Sequence, residues 1–191
     1  MDGFYLDNFP EEITGRVETP AATHIFEVRS GKEQVMLDEP HAQAFQHFVA
    51  QLLFTSKRCR KDIQTEMTFL TTRVRATDED DWKKLRRLLQ YVNFTIWLPL
   101  ILSVDNLNAV NWWVDASYVA HDDMCRHTGA TMSLGRGSVL TMSKKQKINT
   151  QISTKAELIR ADDALSQMLW TNYFIEAQRY GIEKISCIRI T

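Results

Sequence analysis

The sequence predicts a mixed α/β protein: a helical block, then a sheet of mixed strand direction served by one long crossover helix. Three observations predict it. Apolar residues recur at helical spacing between residues 41 and 93, the period falls towards two after Trp97, and a long helical stretch opens near Thr154.

The helical block is legible turn by turn. Ala44, Phe45, Phe48, Val49, Leu52 and Leu53 fall on one face of a first helix starting near His41. A second, from about Asp62 to Arg75, turns Ile63, Met67 and Leu70 inward. Asp78 stands as N-cap of a third, with Glu79, Asp80 and Asp81 where the helix dipole favours negative charge. That helix is expected to bury Trp82, Leu85, Leu88, Leu89 and Val92 and to leave Lys83, Lys84, Arg86 and Arg87 in water.

Strand candidates follow at Leu98–Val104, Val110–Tyr118, Ala130–Leu134 and Val139–Met142, with Gly135-Arg136-Gly137 as the turn between the last two. The long helix carries Leu158, Ala161, Leu165, Leu169 and Tyr173 on one face, with Gly181 placed as its C-cap glycine. Ile185–Ile190 reads as a final strand ending at the terminus, where a further covering helix would be expected. Antiparallel strands followed by a crossover helix into a further strand give the mixed sheet.

Residues 1–40 hold three of the four prolines and only one apolar patch, Ile25–Val28, able to pair as a short strand; they read as an extended arm or linker stopped by Pro40. The expected organisation is thus an arm over 1–40, a helical block over 41–97 and a sheet domain over 98–191.

Composition narrows the function classes. Hydrophobic residues at 44% and charged residues at 25% are globular values, and a net charge of -1 leaves nucleic-acid binding to a local basic patch. Cys59, Cys125 and Cys187 are far apart and form no CxxC pair, which argues against a zinc site or a disulfide framework. The N-terminus lacks a signal-peptide pattern, and the apolar run Ile96–Val104 is about half a membrane span and contains Pro99. The expectation is a soluble chain of the cytoplasm or nucleus, with no membrane partner and no small-molecule cofactor.

Few residues suggest chemistry. Asp115 lies in the most apolar strand, where a carboxylate either reaches solvent near the strand end or is held by a partner or metal. Glu157 follows Thr154 by three residues, which fits a capping box as well as a ligand. Asp162 and Asp163 fit a solvated helix face. Ser143-Lys144-Lys145-Gln146-Lys147 is the densest cationic run of this half, either a solvated connection or a set of phosphate contacts. His121, Asp122, Asp123 and His127 lack metal-ligand spacing. Two carboxylates on neighbouring elements are compatible with a two-metal phosphodiester site, and equally with a plain α/β module.

The order of motifs adds to this. Trp113-Val114-Asp115-Ala116-Ser117-Tyr118, then His127-Thr128-Gly129, then Ser143-Lys144-Lys145-Gln146-Lys147, then Ser153-Thr154-Lys155-Ala156-Glu157-Leu158 resembles the ribonuclease H domain of copia-type retrotransposon polyproteins. Asp163-Ala164-Leu165 and Leu169-Trp170 continue the likeness. Upstream, Ala50-Gln51-Leu52-Leu53-Phe54, Lys61-Asp62-Ile63 and the stretch Trp82–Tyr91 resemble the segment connecting the reverse transcriptase to that domain. The likeness covers about residues 41–183.

The resemblance implies Asp115 and Glu157 as the first and second catalytic metal ligands, Mg²⁺ as the ion, an RNA–DNA hybrid as the partner, and Lys144, Lys145 and Lys147 as phosphate contacts. The family's third ligand would fall at about Ile190, in Cys187-Ile188-Arg189-Ile190-Thr191, which has no carboxylate. The fourth would fall beyond the end, and the polymerase aspartates before residue 1. The expectation is therefore a truncated remnant holding half a two-metal site and lacking useful nuclease turnover, or a non-catalytic nucleic-acid-binding or protein-interaction module on the same fold.

Overall fold

A computed structural model describes residues 13–28, 34–106, 108–117, 127–145 and 153–189, with the side chains of 116, 117, 127, 145, 153–163 and 189 outside the description. The chain divides into two compact units, Met1–Pro99 and Leu100–Thr191. The first is helical and the second carries the sheet, a mixed α/β chain as the periodicity predicts.

In the first unit α1 spans Glu39–Arg58, α2 spans Gln64–Arg73 after a 3₁₀ turn at Lys61–Ile63, and α3 spans Glu79–Phe94. Asp38 caps α1 by accepting from the His41 amide, and Pro40 sits in the first turn, where its missing N–H costs nothing. Asp78 caps α3 by accepting from the Asp80 and Asp81 amides, and Asp81 accepts from the Asp78 amide in return, a reciprocal capping box. The inward stripes meet in one core that contains Phe45, Phe48, Leu52, Ile63, Met67, Leu70, Leu85 and Leu88.

Three readings of this unit need correction. Residues 25–28 form no strand, since the turn at residues 23–26 takes in Ile25 and Phe26, and Ile25 is buried in the helical core. Ile13, Val17, Phe26, Val28 and Leu37 pack there too, so the described part of the arm is core material rather than linker. Lys84 does not face water: it is buried, pairs with Asp80 at 2.9 Å and lies 4.8 Å from the Phe69 ring centroid. A lysine stem packs well on an aromatic face when its ammonium finds a carboxylate.

In the second unit β1 spans Ala109–Ser117, β2 His127–Ser133, β3 Leu140–Lys145, α4 Ser153–Ala177 and β4 Lys184–Arg189. The sheet order is β3-β2-β1-β4, antiparallel from β3 to β1 and parallel between β1 and β4. The parallel pair requires a crossover, which α4 supplies. Its core joins Val110, Trp112, Val114, Ala130 and Met132 of the sheet to Ala164 of α4.

Residues 98–104, expected as a strand, belong to no sheet. From Ile101 to Asp105 the chain runs irregularly over the β2–β3 turn, with Ser103 N donating to Arg136 O at 2.9 Å and Asp105 N to Leu134 O at 3.1 Å. Gly137 permits this approach: its φ is +80°, and a Cβ there would lie 2.0 Å from the Ile101 carbonyl oxygen.

On α4 the apolar stripe from Leu165 to Tyr173 is the exposed one. Ala164 and Thr171 are buried, and Met168 and Ile175 pack on the core, whereas Leu165, Leu169, Trp170, Tyr173 and Phe174 stand in solvent; Leu158 and Ala161 lie outside the described side chains. A helix apolar nearly all round offers no single stripe from which to infer the inward face. Its end also differs. Arg179, not Gly181, takes the left-handed conformation, at φ 68°. Tyr180 N donates to Ile175 O and Arg179 N to Glu176 O, a Schellman closure.

Two predictions follow from these contacts. Gly137→Ala should lower stability by about 2 kcal/mol or more, read as a shifted urea midpoint. Glu66 is buried, and its Oε2 has no hydrogen-bond partner among the described residues. Burial, with the charge of Asp62 adding to it, raises its carboxyl above the ordinary value. The native state therefore keeps this proton after the unfolded chain has lost it, and stability falls as pH rises from the unfolded value through the folded one. Glu66→Gln should remove that slope and gain roughly 1 kcal/mol at neutral pH, measured by urea unfolding across pH.

Candidate functional site

The geometry around Asp115 follows from the pleat of β1. Val110, Trp112 and Val114 are buried, Asn111 and Trp113 are half-buried, and Asp115 is exposed. Alternation thus sends the carboxylate to the face opposite the core, so its charge is never removed from water.

Asp115 lies opposite Gly129 on β2, and Gly129 opposite Ser143 on β3. No atom comes within 4 Å of the place a Gly129 Cβ would take, so open space adjoins the carboxylate. The next row is Ala116, Thr128 and Lys144. Thr128 is fully buried, so that row alternates to the other face, and exposed Lys144 does not share the face of Asp115. Lys145 ends β3, in register with His127.

The other expected residues are placed less fully. Glu157 belongs to the N-terminal part of α4, and its side chain lies outside the described residues, as do those of Lys145, Asp162 and Asp163. Lys147, His121, Asp122, Asp123 and Cys125 lie outside them altogether. Cys59 and Cys187 are free thiols.

A carboxylate such as Asp115 is the kind of hard oxygen donor that Mg²⁺ takes, and no atom crowds the neighbouring Gly129 position. A two-ion site needs further oxygen ligands. Among the described residues no group of three His, Cys, Asp or Glu is placed to hold a metal. Strand β4, the parallel neighbour of β1, reads Lys-Ile-Ser-Cys-Ile-Arg and brings Arg189 beside Val114 rather than an acid. Of the two expected carboxylates only Asp115 has a described side chain, so the described residues supply one candidate oxygen donor and define no ion site.

The chain is 30% identical over 127 residues to the Ty5-1 transposon protein of Saccharomyces cerevisiae (strain ATCC 204508 / S288c), a stretch covering 65% of this chain and 41% of that protein. This chain is similar to a transposon protein. It spans under half the length of that relative. No family model matches the chain, and no solved structure matches it. Among the described residues no helix is long and apolar enough to cross a membrane.

Sequence reasoning missed two features of this unit. Trp112 is fully buried, and its indole N–H has no hydrogen-bond partner among the described residues. The signal that could have found it is the alternation of the strand, which puts Trp112 in phase with Val110 and Val114 and Trp113 in phase with Asn111 and Asp115. The open row at Gly129 is visible only once the register is known. It yields a prediction: Gly129→Ala should leave the fold intact and raise stability by about 0.5 kcal/mol, because glycine weakens a strand and the added methyl meets nothing. A thermal melt followed by circular dichroism checks it.

Proposed function

We propose that this chain derives from a retrotransposon polyprotein of copia type. Residues 41–97 correspond to the helical connection after its reverse transcriptase, and residues 98–191 to a ribonuclease H-like module. The observation that carries this reading is the placement of Asp115, an exposed carboxylate on the central strand beside a glycine that leaves room for a ligand. The ordered motifs and the transposon relative support it.

In this reading Asp115 and Glu157 hold one Mg²⁺. The ion, when bound, supplies charge neutralisation next to a phosphodiester; the chain's own residues orient the strand. Lys144, Lys145 and Lys147 contact phosphates of an RNA–DNA hybrid, and recognition rests on backbone and 2′-hydroxyl groups rather than on base sequence. With no acid on β4, the geometry for two ions is lost, and metal positioning is a large share of the rate in phosphoryl chemistry. The module therefore binds hybrid without useful turnover.

A second reading, a protein-interaction module, draws on the exposed Leu165, Leu169, Trp170, Tyr173 and Phe174 of α4. The decisive experiment is incubation of a labelled RNA–DNA hybrid with Mg²⁺ or Mn²⁺ and either the unaltered chain or Asp115→Asn. Neither protein should cleave, and both should shift the hybrid in a gel. Metal-dependent cleavage that disappears in Asp115→Asn would mean that a further ligand completes the site. Absence of hybrid binding would favour the protein-interaction module.

A further inference from the structure

We propose that Phe54, Lys57, Arg58 and Lys61, at the end of α1, form a docking surface for the backbone of single-stranded nucleic acid. The inference stands on the helical unit alone and does not depend on the ribonuclease H reading.

These residues occupy the last turns of α1 and the 3₁₀ turn after it. Lys57 and Arg58 are exposed, and Lys61 folds back so that its ammonium donates to the Lys57 carbonyl. Three positive charges are thus gathered within five residues. The adjoining Arg60 shows what a structural cation looks like here: it is buried and paired with Asp62 at 2.8 Å. Arg16, Arg73 and Lys84 of the same unit also have carboxylate partners. Among the described residues, no carboxylate pairs with Lys57, Arg58 or Lys61. The chain is not short of acids, since 24 stand against 23 lysines and arginines.

A helix C-terminus attracts cations, but its partial charge is only about half an electron, so three cations leave a clear positive excess. Burial lowers both lysines, and for Lys61 the neighbouring Lys57 and Arg58 lower it further. Like charges are being held together, and an incoming phosphate relieves that repulsion.

The aromatic beside them decides the partner. Phe54 is 63% exposed, and the Arg58 guanidinium lies 5.4 Å from its ring centroid. A flat apolar ring next to phosphate-binding cations suits an unpaired base stacked above its own backbone, the recurring arrangement for single strands. An acidic peptide would use the charges and leave the ring idle.

Fluorescence anisotropy with labelled oligo(dT) across a salt series tests this on the full chain. The triple variant Lys57→Gln, Arg58→Gln, Lys61→Gln should bind at least tenfold more weakly at low salt. Its salt slope should flatten by about 2, from three lost phosphate contacts on a single strand. Phe54→Leu should weaken binding and leave the slope alone, and Lys57→Arg with Lys61→Arg should keep it. On the unaltered chain, oligo(dT) should protect Lys57 and Lys61 from acetylation while Lys83 stays reactive. The proposal is overturned if the unaltered chain does not bind oligo(dT), if those lysines are not protected, or if the triple variant keeps the parent slope. It is equally overturned if polyglutamate displaces the oligonucleotide at equal charge concentration and Phe54→Leu changes nothing; the surface would then serve an acidic protein.

Discussion

The register of β1 is the constraint on which the second unit depends. The strand is central, antiparallel to β2 on one side and parallel to β4 on the other. Its odd and even residues have opposite requirements, with Val110, Trp112 and Val114 needing the core and Asp115 needing water. A slip of one residue would bury the carboxylate of Asp115 and the amide of Asn111 and expose Val110 and Val114, so register is strongly specified even though Trp113 would replace Trp112. The described part of the site follows from this placement: the row Asp115, Gly129, Ser143, the open space at the glycine, and the arginine rather than an acid that β4 brings alongside.

The helical unit uses its acids differently. Asp62 receives Arg60 and the Tyr91 hydroxyl, and Arg60 also reaches Thr95 at its carbonyl and hydroxyl, which joins the ends of α1 and α3. Burial opposes ionisation of Asp62, yet the hydrogen bonds from Arg60 and Tyr91 outweigh it and hold the carboxyl below the ordinary value. Asp78 and Asp81 close the first turn of α3 on each other and on Arg73. These carboxylates have structural partners and are not spare ligands. An open groove of about 470 Å³ over His41 and Trp82 carries Asp38 and Glu79 together with Lys83 and Arg86, a mixed set that selects no ligand charge.

Much of the fold was legible because the local signals agreed. In α1 to α3 the 3.6-residue stripes, the cap at Asp78 and the acidic first turn it opens all point one way. The errors lie where a local signal was ambiguous or a distant contact won. Residues 98–104 look like a strand, but Ile101 and Ser103 meet the turn around Gly137 and, among the described residues, the segment joins no ladder. Lys84 looks solvent-facing until Phe69 and Asp80 are brought beside it. On α4 both faces are apolar, so Ala164 rather than Leu165 being the inward residue was not readable from periodicity. Arg179 closes that helix in place of Gly181 because the hydrogen bonds around it outweigh the steric cost of its conformation.

The candidate site was legible mainly as motif order. Spacing alone left Asp115 between a solvated strand end and a ligand, and Glu157 between a capping box and a ligand. The strand register bears on Asp115 alone, by turning its carboxylate away from the core, and leaves Glu157 as it stood. The most direct test of the shared Asp115–Glu157 centre is paramagnetic broadening by Mn²⁺ in an amide NMR spectrum of the full chain. The amides around Asp115, Gly129 and Glu157 should broaden together at the lowest metal additions, and Asp115→Asn should abolish the effect. Broadening at either carboxylate without the other, or at neither, would contradict a shared metal centre.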